Sequence, residues 1–222
     1  MVESQIKDAI KIIKENQEFL ENTSMRDIIE GSTGKKVITF DRQNHSGILE
    51  DLISLGNIIK EKFFSTPITR DLFQEWRDKK VNAFRNNEVG DYCEFLIKDT
   101  FDKNKTKFNE IKKIEHLRGK GYPDLKALTN TKVIFIEVKA TSRPETGSAR
   151  DFYYSIGSAS DRKIDSEALH LLLGFITKQV KSGFSINGFK IVDVSKIRVR
   201  LKPEFNTDNV GIYSETTIIY QG

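Results

Sequence analysis

Apolar residues recur at helical spacing through the first third of the chain. In each of three segments, isoleucine, leucine or phenylalanine alternates with charged residues in the way typical of an amphipathic helix. The third segment follows Thr66-Pro67, and proline suits the first turn of a helix. The segments are residues 3–21, 47–64 and 68–85. We therefore expect residues 1–85 to form a helical region packed on a core. The alternative is a subdomain that contacts a partner or DNA.

Strand-like patterns dominate the rest of the chain, after one further helix that begins near Glu88. A run of β-branched and aromatic residues at 133–136 predicts a buried strand. Residues 178–188 are polar and predict a connection between strands. The other strand-like segments are residues 108–117, 168–177, 189–194, 196–201 and 211–220. For residues 168–177, a buried helix is the alternative. We expect residues 86–222 to form a core of the α/β (α+β) class.

Residues 119–139 predict a β-hairpin around a polar Thr-Asn-Thr-Lys turn. If the two arms pair symmetrically about that turn, Leu128 pairs with Val133. In this register Asp124 lies directly opposite Glu137. Directly opposed residues in an antiparallel pair have Cβ atoms about 5 Å apart. The pattern therefore predicts two neighbouring carboxylates at the end of an apolar strand.

Two carboxylates at such a short distance repel each other unless a cation lies between them or one of them is protonated. Oxygen ligands suit a hard divalent ion such as Mg²⁺. Lys139 shares a strand face with Glu137, because side chains alternate along a strand. The residues thus indicate a metal site with a lysine beside it. An ion pair between Lys139 and the two carboxylates, Asp124 and Glu137, is the alternative.

Charge is unevenly distributed along the 222 residues, whose formal net charge is +4. Residues 1–100 carry 15 Lys+Arg and 18 Asp+Glu, a net −3, whereas residues 101–222 carry 21 and 14, a net +7. A positive surface around an acidic pocket suits a polyanionic substrate, although a solvated charge surplus would look the same. The lone Cys93 and the absence of a long apolar run predict a cytoplasmic protein with no membrane partner.

Basic and aromatic residues around the hairpin are candidates for contacts with nucleic acid. Arginine, lysine and tyrosine side chains contact phosphates and base edges, and such residues cluster in the turn before Asp124, in the segment after Lys139 and in the strand-like segment 196–201. Ordinary solvent-exposed loops are the alternative for the first two, and a charge-protected edge strand for the third. The candidates are Arg118, Lys120, Arg143, Arg150, Tyr153, Tyr154, Arg198 and Arg200.

The sequence Pro123-Asp124, followed by Glu137-Val138-Lys139, resembles the PD-(D/E)XK nuclease superfamily. Glu94, on the predicted helix before the hairpin, matches the acidic helix residue that many members carry, with Glu88 as the fallback. Within that superfamily the chain is most similar to type II restriction endonucleases.

The resemblance implies a restriction-endonuclease-like core, with a mixed β-sheet flanked by helices, and Mg²⁺-dependent hydrolysis of double-stranded DNA. It implies catalytic roles for Asp124, Glu137, Lys139 and Glu94. The three carboxylates would bind one or two Mg²⁺ ions per active site. It also implies a homodimer, although monomeric members exist. A structure-selective nuclease of the resolvase or repair type, and a non-cleaving DNA-binding protein on the same fold, are the alternative functions.

Overall fold

A computed structural model of the chain describes residues 2–20, 23–77, 85–119, 121–143, 154 and 162–199. The chain divides into two compact units, one formed by residues 1–23 with 198–222 and the other by residues 24–197. In the first unit, helix α1 spans Val2–Leu20. Strand β1 (Thr23–Ser24) pairs with strand β9 (Arg198–Val199) in a two-stranded sheet.

A seven-stranded mixed sheet forms the centre of the unit at residues 24–197. Six strands follow the order β3-β8-β7-β6-β5-β4, and β2 pairs with the beginning of β7. Strands β2 and β6 run parallel to β7, and the remaining pairs are antiparallel. The strands are β2 (Val37–Ile38), β3 (Ile68–Thr69), β4 (Lys113–His116), β5 (Leu125–Leu128), β6 (Val133–Thr141), β7 (Ala168–Val180) and β8 (Gly183–Asp193).

Two long helices cover this sheet. Helix α3 (Ser46–Ser65) packs against β8 and helix α5 (Asn86–Lys103) packs against β6, so that their buried faces and the strands enclose a single hydrophobic core. Helix α5 buries Val89, Cys93 and Leu96 at the spacing of one helix face. The helices of this unit are α2 (Met25–Thr33), α3 (Ser46–Ser65), α4 (Arg70–Arg77) and α5 (Asn86–Lys103), with short 3-10 helices at Lys105–Lys107 and Val194–Lys196.

The predicted alternation along β6 is confirmed. Ile134, Ile136 and Val138 belong to the core beneath the helices, whereas Phe135 and Glu137 project from the opposite face. The predicted hairpin register is also confirmed, because Leu128 pairs with Val133. The class predicted from the sequence, a mixed sheet flanked by helices, is therefore correct.

The prediction of a polar connection at residues 178–188 was wrong. Strand β7 continues to Val180, turns through residues 181–182 and returns as β8. Lys178, Gln179, Lys181 and Ser182, at the end of this hairpin, are exposed, whereas Phe184 and Ser185 at the beginning of β8 are buried. Gly183 adopts φ 153°, and a Cβ there would lie 2.1 Å from the carbonyl oxygen of Ile68, so only glycine fits where β8 meets β3.

The strand predicted at residues 196–201 is shorter than expected in the described residues, where only Arg198–Val199 pairs. The segment at 211–220 lies outside the described residues. Helix α3 contributes to the same core as the sheet, and the boundary expected near residue 85 stays a prediction. None of the helices in the described part of the chain is long and apolar enough to span a bilayer.

Candidate active site

The β5–β6 hairpin holds Asp124 at its open end. Leu125 pairs with Ile136, so the register continued by one residue sets Asp124 across from Glu137. The Asp124 amide donates to the Ile136 carbonyl at 3.2 Å, and the Asp124 Oδ2 atom accepts the Val138 amide at 2.8 Å. These two bonds fix both the backbone and the carboxylate of Asp124 against β6.

Glu137 is buried, with 4% of its surface exposed, and its two carboxylate oxygens have different surroundings. Oε1 accepts the Lys139 ammonium at 2.5 Å. Oε2 is buried without a hydrogen-bond partner among the described residues. Burial raises the pKa of Glu137 to about 7, and Asp124 adds to the rise, whereas Lys139 lowers it. A buried oxygen of this kind is costly unless a proton or a cation binds it.

The Lys139 side chain is 47% exposed, whereas the Glu137 side chain with which it pairs is buried. Burial lowers the pKa of Lys139, but the neighbouring Glu137 and Asp124 carboxylates outweigh burial and hold it above its usual value. Lys139 is therefore a fixed cation next to two acids. Of the ion pair that the sequence offered as an alternative to a metal site, between Lys139 and both carboxylates, the structure shows the contact with Glu137, which involves one of the two Glu137 oxygens.

Helix α5 carries a third carboxylate, Glu94, that interacts electrostatically with the hairpin carboxylates. Burial raises the pKa of Glu94 to about 8, and Asp124, Asp91 and Glu137 add to that rise. Two other acids on this helix have structural partners: Glu88 accepts the Arg85 amide at 2.9 Å in the first helical turn, and Asp91 pairs with Arg77 at 2.9 Å. Glu94 interacts electrostatically with both hairpin carboxylates, whereas Asp91 interacts with Asp124 and is paired with Arg77.

The donor set fits a hard divalent cation. Mg²⁺ is commonly bound by one or two carboxylates, with waters and substrate phosphates completing an octahedron. Asp124 and Glu137 supply two carboxylates, and the buried Glu137 Oε2 is an oxygen in need of a partner. Within the described ranges, no three His, Cys, Asp or Glu side chains converge tightly enough to enclose an ion by themselves. Water and a DNA phosphate would therefore have to supply the remaining ligands.

The predicted DNA contacts are only partly described. Arg118 and Arg143 are exposed at the two ends of the hairpin region, after β4 and after β6. The Tyr154 hydroxyl lies 2.6 Å from the Ser32 hydroxyl, and the Tyr154 ring packs edge-on against Tyr122. Arg198, which is exposed, belongs to the other compact unit. Lys120, Arg150, Tyr153 and Arg200 lie outside the described residues.

Lys163 is a neighbour of this site that sequence reasoning missed. Its side chain is buried, and its ammonium donates to the carbonyl oxygens of Gly121 and Pro123, immediately before Asp124. No local pattern marks it, because it lies 39 residues after Asp124 in a polar segment. A buried lysine is detectable only once the fold is known.

A second contact that sequence reasoning missed is buried: the Tyr122 hydroxyl lies 2.6 Å from the His170 Nδ1 atom. His170 is fully buried. Burial lowers the pKa of His170 to about 4, so the ring is neutral near pH 7.

Comparison with known proteins points to one group. The model of the type II restriction enzyme MjaV family matches residues 20–216. The type II restriction enzyme MjaV of Methanocaldococcus jannaschii is 27% identical over 220 residues, which cover 95% of this chain and 93% of that protein. The matched region contains the whole β5–β6 hairpin, α5 and Lys163.

Proposed function

The chain belongs to the type II restriction enzyme MjaV family, and from this premise we propose that it cleaves double-stranded DNA at a specific sequence with Mg²⁺ bound at Asp124 and Glu137. Family membership makes the protein a site-specific deoxyribonuclease. The metal and the residue roles are supported by one observation above all: Glu137, beside Asp124 and Lys139, has a buried oxygen with no hydrogen-bond partner among the residues that the structure describes.

The carboxylates have the first task. Asp124 and Glu137 would hold the ion, with the Val138 carbonyl as a further candidate ligand. A bound Mg²⁺ polarises a phosphoryl oxygen and lowers the pKa of a coordinated water. The hydrogen bond from the Val138 amide keeps the Asp124 carboxylate oriented, so little reorganisation is needed when the ion enters.

Lys139 would act on the water or on the phosphate. Its ammonium is fixed by Glu137 and partly exposed, so it can reach solvent and substrate. With a cation bound at Glu137, Lys139 would orient the attacking water, help to deprotonate it, or offset charge on the phosphorus. Each of these uses requires a cation or a proton acceptor within hydrogen-bond reach of the scissile group.

Glu94 would bind a second metal ion or a metal-bound water. Its electrostatic coupling to Asp124 and Glu137 supports this role. Arg118, Arg143 and Tyr154, with Arg198 and the undescribed Lys120, Arg150, Tyr153 and Arg200, remain the candidates for DNA contacts. We also propose that two copies act together, since a two-fold dimer matches the symmetry of a palindromic site.

Digestion of a phage DNA of known sequence tests the proposed function. With Mg²⁺ we expect discrete fragments whose mapped ends share one short sequence, and with EDTA we expect intact DNA. Fragments without a common sequence, combined with preferential cutting of branched DNA, would favour a structure-selective nuclease. Binding without Mg²⁺-dependent hydrolysis of any DNA would favour a non-cleaving DNA-binding protein.

A further inference from the structure

Lys163 is the one buried lysine next to the carboxylate cluster in the described part of the chain. It is 8% exposed, and Asp124, Glu137 and Glu94 all act electrostatically on its ammonium. A lysine ammonium carries three hydrogen-bond donors and almost never loses contact with water unless it is paired. Its position therefore calls for a function that outweighs the cost of burial.

The hydrogen bonds of Lys163 indicate that function. They reach the carbonyl oxygens of Gly121 and Pro123, at 2.9 Å for Pro123, and so enclose the two residues that lead into Asp124. Gly121 adopts φ 85°, which is part of a turn that glycine allows. Without the ammonium, two carbonyl oxygens beside a buried turn would lose a charged donor.

We propose that Lys163 is a positioning residue for the metal site: it fixes the Gly121–Asp124 turn and thereby the place of the Asp124 carboxylate. This inference rests on the proposed function, because it assumes a cation between Asp124 and Glu137. Lys163 does not touch substrate or metal in this role. It acts through the backbone, as the supporting residues of metal ligands commonly do.

Mn²⁺ binding distinguishes positioning from simple charge. Lys163 carries a positive charge near the site, so removing that charge alone would strengthen the binding of a cation. Removing a positioning residue would weaken it, and loss of a supporting contact commonly lowers metal affinity by about 10–100-fold. The direction of the change therefore identifies the role.

The test measures Mn²⁺ binding to the full-length protein by titration calorimetry, without DNA. Lys163→Met removes both hydrogen bonds, and we expect its Kd for Mn²⁺ to rise about tenfold. Lys163→Gln keeps a shorter donor, and we expect a smaller rise in Kd. The matched control is Lys126→Met, because Lys126 lies two residues after Asp124 but pairs with Asp165 at 2.7 Å. We expect the control to bind Mn²⁺ as the wild type does.

Thermal unfolding identifies the folded variants, and Lys163→Gln decides the question if Lys163→Met does not fold. Unchanged or tighter Mn²⁺ binding by a folded Lys163 variant overturns the positioning role. Failure of the wild type itself to bind Mn²⁺ overturns the proposed metal site. Wild-type binding together with weakened binding in the Lys163 variants supports both.

Discussion

Among single residues, the Glu137–Lys139 ion pair offers the most direct test of the proposed cleavage. The two residues are two positions apart on one strand face and in contact at 2.5 Å. We expect Lys139→Ala to lower the cleavage rate by roughly 10²–10³-fold, the usual cost of removing one group that stabilises charge in the transition state. Binding of the cognate duplex in Ca²⁺ is expected to change little. Single-turnover cleavage and a mobility-shift assay measure the two quantities.

The edge strand β4 supplies a matched control for that substitution. Lys113 and Glu115 are also two residues apart on one strand and lie 2.7 Å apart, but they are exposed. Lys113→Ala therefore removes a lysine from an equivalent pair, and we expect its cleavage rate to equal that of the wild type. Wild-type cleavage by Lys139→Ala would remove Lys139 from the mechanism.

The raised pKa values of Glu137 and Glu94 predict how stability depends on pH without metal. Both pKa values, about 7 and about 8, lie above the ordinary value of 4.5, so the folded protein binds more protons than the unfolded chain between these limits. Stability contributed by these protons is present at low pH and is lost as the pH rises through the folded pKa values. Burial lowers the pKa values of the three histidines, so their contribution makes stability rise with pH. That rise is complete above about pH 6.5, the ordinary histidine pKa.

We therefore expect the Tm in EDTA to fall by several degrees between about pH 7 and pH 8.5, since about 1 kcal/mol shifts the Tm of a chain of this size by ~2–4 °C. Saturating Mg²⁺ should offset most of the fall, because a cation replaces the protons. Differential scanning fluorimetry measures both curves. In the Glu94→Gln/Glu137→Gln variant the fall should be smaller. An equal fall in that variant would assign the pH dependence to other groups.

Between secondary-structure elements, Asp51 connects helix α3 to the segment that precedes β4. Its carboxylate is buried and accepts three backbone amides, those of Asn109, Glu110 and Ile111, at 2.8–2.9 Å. Removing it leaves three donors without an acceptor. We expect Asp51→Ala to cost about 3 kcal/mol of unfolding free energy, in the range of hydrogen bonds to a charged group.

Urea denaturation measures the cost of that substitution. Asp102→Ala is the control, because Asp102 pairs with Lys98 and Lys105 on the surface and such pairs contribute about 0–1 kcal/mol. If the two variants are equally stable, Asp51 does not hold the segment in place.

The secondary-structure elements differ in how well the sequence alone predicts them. The β5–β6 hairpin was predictable with its register, because one turn and one face pattern over residues 119–139 fix both. The β7–β8 hairpin was only half predictable, since polar residues such as Lys178 and Gln179 on an exposed strand end resemble a loop. Lys163 was not predictable at all, because its importance comes from a contact with a turn 40 residues earlier.

At the scale of the whole molecule, cleavage of a duplex requires attack on two antiparallel strands. The part of the chain that the structure describes contains one set of Asp124, Glu137 and Lys139. Two copies related by a two-fold axis would present two such sets to the two strands, and each copy would read one half of a palindrome. The proposed homodimer follows from this symmetry argument and has a direct physical test.

We expect light scattering to give a mass of twice the 25.5 kDa chain. A mixed dimer with one Lys139→Ala subunit should cut only one strand, because each subunit acts on its own strand. Two affinity tags on co-expressed chains isolate that mixed dimer, and a supercoiled plasmid with one recognition site reports the product. Nicked circles are expected from the mixed dimer and linear DNA from the wild-type dimer carrying the same tags. The contrary result would be the mass of a single chain, both without DNA and in the DNA complex, together with linear DNA as the product. It would show that one active site cuts both strands in turn.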